Sequence, residues 1–79
     1  MNESIAKTLA VLPDKPGVYI MRDERGKIIY VGKAVVLKNR VRSYFRNLAS
    51  HTVKVKALVA KVAEIETIVT DSEVEALIL

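Results

Sequence analysis

Residues 17–46 restrict the possible folds more than any other stretch. They read G-V-Y-I-M-R-D-E-R-G-K-I-I-Y-V-G-K-A-V-V-L-K-N-R-V-R-S-Y-F-R. Two apolar runs of strand length, each with one tyrosine, flank a polar turn, and an amphipathic basic stretch follows at once. The preceding Pro13-Asp14-Lys15-Pro16 stops any helix before it, because proline cannot continue one and disfavours it in the residue before. The pattern predicts a strand over 17–22, a loop at Asp23-Glu24-Arg25-Gly26 with Gly26 at positive φ, and a second strand over 27–32. A four-residue loop sets Arg22 opposite Lys27 and therefore Tyr19 opposite Tyr30. Directly opposed residues share a sheet face, so the two phenols are expected side by side. A slip of one residue would separate them.

The rest of the chain reads as a support for this segment. After Lys33-Ala34 a helix is expected over 36–48. Its apolar stripe is Leu37, Val41, Tyr44, Phe45 and Leu48, and Lys38, Arg42 and Arg46 lie outward. Arg40 lies on the other flank, one turn before Tyr44, so these two should project from one edge. Upstream, Ile5, Leu9 and Leu12 follow the possible caps Asn2 and Ser4 at helical spacing. Downstream, residues 53–62 predict a helix with Val55, Leu58, Val59 and Val62 inward, and residues 64–70 a third strand. Ser72-Glu73-Val74-Glu75 is a capping box that opens a last helix at Ser72 or Asp71. That helix is still running at Leu79, so residues 1–79 are expected to be a single domain truncated within its last helix. The order α-β-β-α-α-β-α is an α+β arrangement, a small three-stranded antiparallel sheet flanked by helices.

Charge narrows the partner. Residues 1–50 hold ten bases and four acids, +6, and residues 51–79 hold three bases and five acids, −2. No acid occurs from Arg25 to Ala63. A long acid-free basic run favours an anionic partner, nucleic acid above all; a solvated basic face is the alternative. The 79 residues contain no cysteine, which excludes a disulfide staple and a Cys-based zinc site. No apolar run reaches the ~20 residues that cross a bilayer, and Lys7 interrupts the short apolar stretch at the N-terminus. A cytoplasmic protein with no membrane contact is expected. The lone His51, in a polar connection, reads as incidental.

Gly17-Val18-Tyr19 and Tyr30-Val31-Gly32, with Lys33 next and Arg40 and Tyr44 on the following helix, resemble the GIY-YIG nuclease fold. P-G-V-Y-I-M, I-Y-V-G-K-A, L-K-N-R-V-R-S-Y-F, E-I-E-T-I-V-T and E-A-L-I-L are similar to the N-terminal GIY-YIG endonuclease domain of the UvrABC system protein C family (UvrC), which serves bacterial nucleotide excision repair. The resemblance covers residues 13–79. It implies metal-dependent hydrolysis of a DNA phosphodiester on the 3′ side of a lesion, with damaged double-stranded DNA as substrate. It also implies one divalent ion, Mg2+ or Mn2+, and protein B, and indirectly protein A, as partners. The implied catalytic residues are Tyr19, Tyr30, Lys33, Arg40 and Tyr44. Gly32, Lys38, Arg42 and Arg46 are the candidate DNA contacts. The family's metal-binding glutamate follows directly after E-A-L-I-L, beyond Leu79. Glu75 belongs to the capping box and Glu73 is off register, so no metal ligand is expected in this chain and the fragment alone is expected to be inactive. Val35-Val36 stand where relatives carry more polar or basic residues.

These residue types suit the chemistry. Hydrolysis needs a water activated in line with the leaving oxygen and positive charge on the transition state. A phenol is an ordinary base only as phenolate, and nearby cations favour that form. Lys33 and Arg40 supply such cations for Tyr19 or Tyr30, and the planar guanidinium of Arg40 matches a phosphate. Which tyrosine is the base stays open at this level. The alternative function is a non-catalytic basic DNA-binding or docking module on the same fold.

Overall fold

A computed structural model describes residues 2–70. The last helix expected from Asp71 or Ser72 lies outside them. The elements are α1 (Glu3–Ala10), β1 (Gly17–Arg22), β2 (Ile28–Ala34), α2 (Leu37–Ser43), a 3-10 turn (Leu48–Ser50), α3 (Val53–Lys61) and β3 (Glu64–Val69). The three strands form one antiparallel sheet in the order β2-β1-β3. The α+β expectation therefore holds for the described residues.

Asn2, not Ser4, caps α1: its side-chain oxygen accepts from the Ile5 N–H at 2.8 Å. The cap sets the helix so that Ile5 is buried, with Leu9 partly buried against the core. Central strand β1 contributes Tyr19 and Met21 to the same sheet face. With Leu37 and Val41 of α2 they are the largest fully buried side chains. Each such side chain stabilises the fold by about 1.5–3 kcal/mol through removal of apolar surface from water. Val62 and Ile65 complete this core, and Val55, Leu58 and Val59 of α3 pack against it as the helical spacing predicts.

The N-cap residue of α2, Val36, has no side-chain hydrogen bond to offer. The first amides of the helix instead donate to the turn before β1: Leu37 N–H to the Lys15 carbonyl at 2.9 Å and Lys38 N–H to the Pro13 carbonyl at 3.0 Å. Orphan donors at a helix start need such partners. The Pro13–Pro16 turn thus fixes where α2 begins relative to β1.

Three expectations are corrected. First, the hairpin register differs. The Asp23 N–H donates to the Lys27 carbonyl at 2.9 Å, and its carboxylate accepts from the Arg25 and Lys27 amides. Asp23 thereby faces Lys27 across a three-residue loop, with Gly26 at φ +80°. Arg22 then pairs with Ile28 but Met21 with Tyr30, which leaves Ile29 as an extra residue on β2. Tyr19 accordingly faces Gly32, not Tyr30. The loop and the bulge each move the register by one, so the face is kept and the two tyrosines remain diagonal neighbours. Second, β2 does not end at Gly32 but runs to Ala34, with Lys33 paired to Val18. Third, α2 stops at Ser43 rather than 48. The Ser43 hydroxyl bonds the Arg40 carbonyl at 2.6 Å, the next amides close i→i−3 bonds, and Asn47 takes a left-handed conformation at φ 48°. Leu48 consequently leaves the stripe and is exposed.

Candidate active site

Three tyrosines form a triangle on the inner face of the hairpin. The ring centroids of Tyr19 and Tyr30 are 6.0 Å apart, those of Tyr19 and Tyr44 5.8 Å, and those of Tyr30 and Tyr44 6.3 Å. Tilted contacts at these distances are favourable for aromatic quadrupoles. β1 supplies Tyr19, β2 supplies Tyr30, and Tyr44 comes from the C-terminal end of α2.

The three are not equivalent. Tyr19 is 1% exposed, and its hydroxyl shares a buried hydrogen bond of 2.7 Å with that of Tyr44. A buried hydroxyl needs such a partner, and among the described residues no buried side-chain polar atom lacks one. Tyr30, at 40% exposure, presents its ring to solvent. Burial, and then the bond to Tyr19, push the Tyr44 phenol well above its ordinary value. The Tyr44 hydroxyl is committed to its hydrogen bond with Tyr19.

Gly32 makes room for this arrangement. A Cβ on Gly32 would lie 2.2 Å from Cζ and 2.3 Å from the hydroxyl oxygen of Tyr19. The Tyr19 ring thus lies across the backbone of its own strand partner. Gly32 also lines the cleft, as a candidate DNA contact would.

Beside the triangle a cleft of about 370 Å³ is lined by Val18, Tyr19, Tyr30, Val31, Gly32, Lys33 and Arg40. Two cations and two phenols therefore meet there. Arg40 is exposed, with its guanidinium carbon 6.0 Å from the Tyr44 ring centroid. Interaction with the Tyr19 side chain, and then with that of Tyr44, raises Arg40 above its ordinary value. Lys33 pairs with Val18, so the pleat sets it on the face opposite Tyr19 and it meets the cleft from the other side of β2.

The outward row of α2 is placed differently. Lys38, Arg42 and Arg46 do not line this cleft. The Arg42 Nε donates to the Leu9 carbonyl at 3.0 Å and ties α2 to α1. Lys38 is half-buried and Arg46 exposed. Two further residues lie near the triangle, His51, expected to be incidental, and Lys54, which was not singled out from sequence. His51 Nε2 bonds the Ser43 carbonyl at 3.1 Å, which requires the proton on Nε2. Lys54 lines a neighbouring hollow with Tyr30 and Tyr44. Its position one turn before inward-facing Leu58 was the available signal.

The described residues of the cleft do not by themselves fit a divalent cation. They provide two cations and no carboxylate, whereas magnesium takes hard oxygen ligands. No group of three or more His, Cys, Asp or Glu suited to a metal occurs among the described residues. Glu64 and Glu66 both pair with Arg22 on β1.

The model of the UvrC-like GIY-YIG domain matches residues 15–79. Over 75 residues the chain is 68% identical to UvrABC system protein C of Acetivibrio thermocellus, covering 95% of this chain and 12% of that protein. It is 66% identical over 71 residues to UvrABC system protein C of Clostridium perfringens, covering 90% of this chain and 12% of that protein. The chain thus spans about an eighth of the length of these relatives. Among solved structures it is similar to the GIY-YIG N-terminal endonuclease domain of UvrC from Thermotoga maritima, bound to its catalytic magnesium. That likeness has a TM-score of 0.85 and 44% identity and covers 99% of this chain and 83% of the other. With a tyrosine triangle, a guanidinium and an ammonium at one cleft, and a family model that matches most of its length, the chain belongs to the UvrC-like GIY-YIG domain family.

Proposed function

We propose that this domain is the endonuclease module of a nucleotide excision repair protein and hydrolyses one phosphodiester of damaged double-stranded DNA on the 3′ side of the lesion. The observation that carries the reading is the joint lining of one cleft by Tyr19, Tyr30, Lys33 and Arg40. The names of its relatives support it as well.

In this reading the scissile phosphate enters the cleft against Arg40 and Lys33. Their charge stabilises the negative charge that grows on the phosphoryl oxygens as water attacks phosphorus. Tyr30, the solvent-exposed tyrosine, acts as phenolate: it gives its own proton to solvent and then takes one from the attacking water, while the leaving oxygen is protonated from solvent. Tyr19 and Tyr44 do not exchange protons with substrate; their shared bond holds the aromatic floor on which Tyr30 and Arg40 rest. A divalent ion like that of the Thermotoga maritima domain would take its oxygen ligands from outside the described residues. Proteins B and A of the repair system are the proposed partners, and a cytoplasmic location follows from that role; no helix among the described residues is long and apolar enough to cross a membrane.

The test is single-turnover incision of a lesion-bearing duplex by the protein that carries this domain, with its repair partners present. The unaltered protein is expected to cut on the 3′ side, and Arg40→Ala to retain its fold but lose about 10²-fold or more in rate, the scale for removing one transition-state donor. Equal rates for both would overturn the reading. Salt-sensitive binding without incision in any context would favour a non-catalytic DNA-binding module.

A further inference from the structure

Arg40 and the tyrosine triangle border more than one depression. The cleft just described contains Tyr30 and Arg40. A second hollow is lined by Arg40, Ser43, Tyr44, His51 and Val55. A third is lined by Ile29, Tyr30, Tyr44, Lys54, Val55 and Leu58. The three share walls: Arg40 joins the first to the second, Tyr30 the first to the third, and Tyr44 and Val55 the second to the third. They form a continuous surface around the triangle, with Lys33 at one end and Lys54 at the other. Among the described residues no acidic side chain lines any of the three.

The third hollow has the mixed character of a nucleotide site. Ile29, Val55 and Leu58 in its lining are partly buried apolar side chains. The exposed ring of Tyr30 offers a face for a sugar or base. Exposed Lys54 offers an ammonium, the usual point charge for a phosphate. The hydrogen bond from His51 to the Ser43 carbonyl joins the segment just before α3, the helix on which Lys54 lies, to the end of α2.

We infer that this hollow is a subsite for the nucleotide next to the scissile phosphate, with its sugar on Ile29, Val55 and Leu58 and its phosphate on Lys54. The inference rests on the proposed DNA-cutting role of the cleft. It adds a substrate-binding residue outside the motif segment and gives the bound strand a direction, from Lys33 past Tyr30 to Lys54.

The experiment is equilibrium binding of the protein that carries this domain to a fluorescein-labelled DNA duplex across a salt series. Lys54→Gln is compared with Lys33→Gln and with Arg25→Gln, a charge-matched control in the hairpin loop. Each phosphate contact adds about 0.9 to the log–log salt slope. Lys54→Gln is expected to lower the slope by about one and to weaken binding severalfold at low salt, as Lys33→Gln does, while Arg25→Gln leaves the slope unchanged. Since Lys54 is exposed, its replacement should leave the circular dichroism spectrum unaltered. A slope reduced by Lys33→Gln but not by Lys54→Gln would overturn the subsite and leave the cleft standing. A slope that none of the three changes, or no salt-dependent binding at all, would overturn both.

Discussion

The two flanks of α2 carry like charges and serve different ends. On one flank Arg40 is exposed, lies over the Tyr44 ring and lines the cleft with Lys33. On the other, Arg42 is half-buried and its Nε is committed to the Leu9 carbonyl. A row of bases in a sequence therefore gives the sign of a surface, while packing decides which bases remain available to an anion. The difference arises from the neighbours. α1 closes over the Arg42 flank, whereas the Arg40 flank abuts the hairpin, where Gly32 leaves space for an aromatic ring.

That comparison can be broken most severely at Gly32. Gly32→Ala puts a methyl group 2.2 Å from the Tyr19 ring, which must move. The expected loss is about 3 kcal/mol, the upper end for overpacking a tight site, and urea unfolding measures it. A loss below about 0.5 kcal/mol would mean that Tyr19 does not lie across Gly32.

Tyr44 gives the next largest effect. Tyr44→Phe strands the buried Tyr19 hydroxyl and should destabilise the fold by about 1–3 kcal/mol. The same residue sets an alkaline limit. Its folded-state value is raised above the ordinary 10.0. Below pH 10 both folded and unfolded chains keep the proton and the contribution is complete. Above pH 10 the unfolded chain releases it first, so the unfolded state binds fewer protons and stability falls as pH rises. Thermal unfolding across alkaline pH should show this decline, with Tyr44→Phe removing part of the slope.

The flank comparison itself is sharpened by a matched pair. Arg42→Ala should cost about 1 kcal/mol through the lost bond to Leu9, whereas Arg46→Ala, at an exposed position, should stay within about 0.5 kcal/mol. Equal effects would mean that the α1 contact contributes nothing.

Much of this site was legible in the sequence, for local reasons. Proline and glycine breakers delimited β1, apolar spacing identified both α2 and α3, and the tyrosines fell on one sheet face. That last result survived an incorrect register because the Asp23 loop and the Ile29 bulge displaced the pairing by two residues in all. A displacement of one would have put Tyr30 on the other face. The end of α2 was not legible. The Ser43 hydroxyl and the left-handed Asn47 override an apolar periodicity that continues to Leu48. Nor was the Tyr19–Tyr44 hydrogen bond, since it joins residues 25 apart through tertiary packing alone. Lys54 was passed over because its neighbours in space, Tyr30 and Tyr44, lie on other elements.

In the proposed mechanism Tyr19 and Tyr44 hold the frame and Tyr30 reacts. This mechanism is tested most directly by measuring unfolding free energy and single-turnover incision together for Tyr30→Phe. The phenyl ring preserves the aromatic contacts, so stability should change by less than about 0.5 kcal/mol, while incision should fall by about 10²-fold or more. A variant that cuts at the normal rate, or one that loses activity only because it unfolds, would contradict the account.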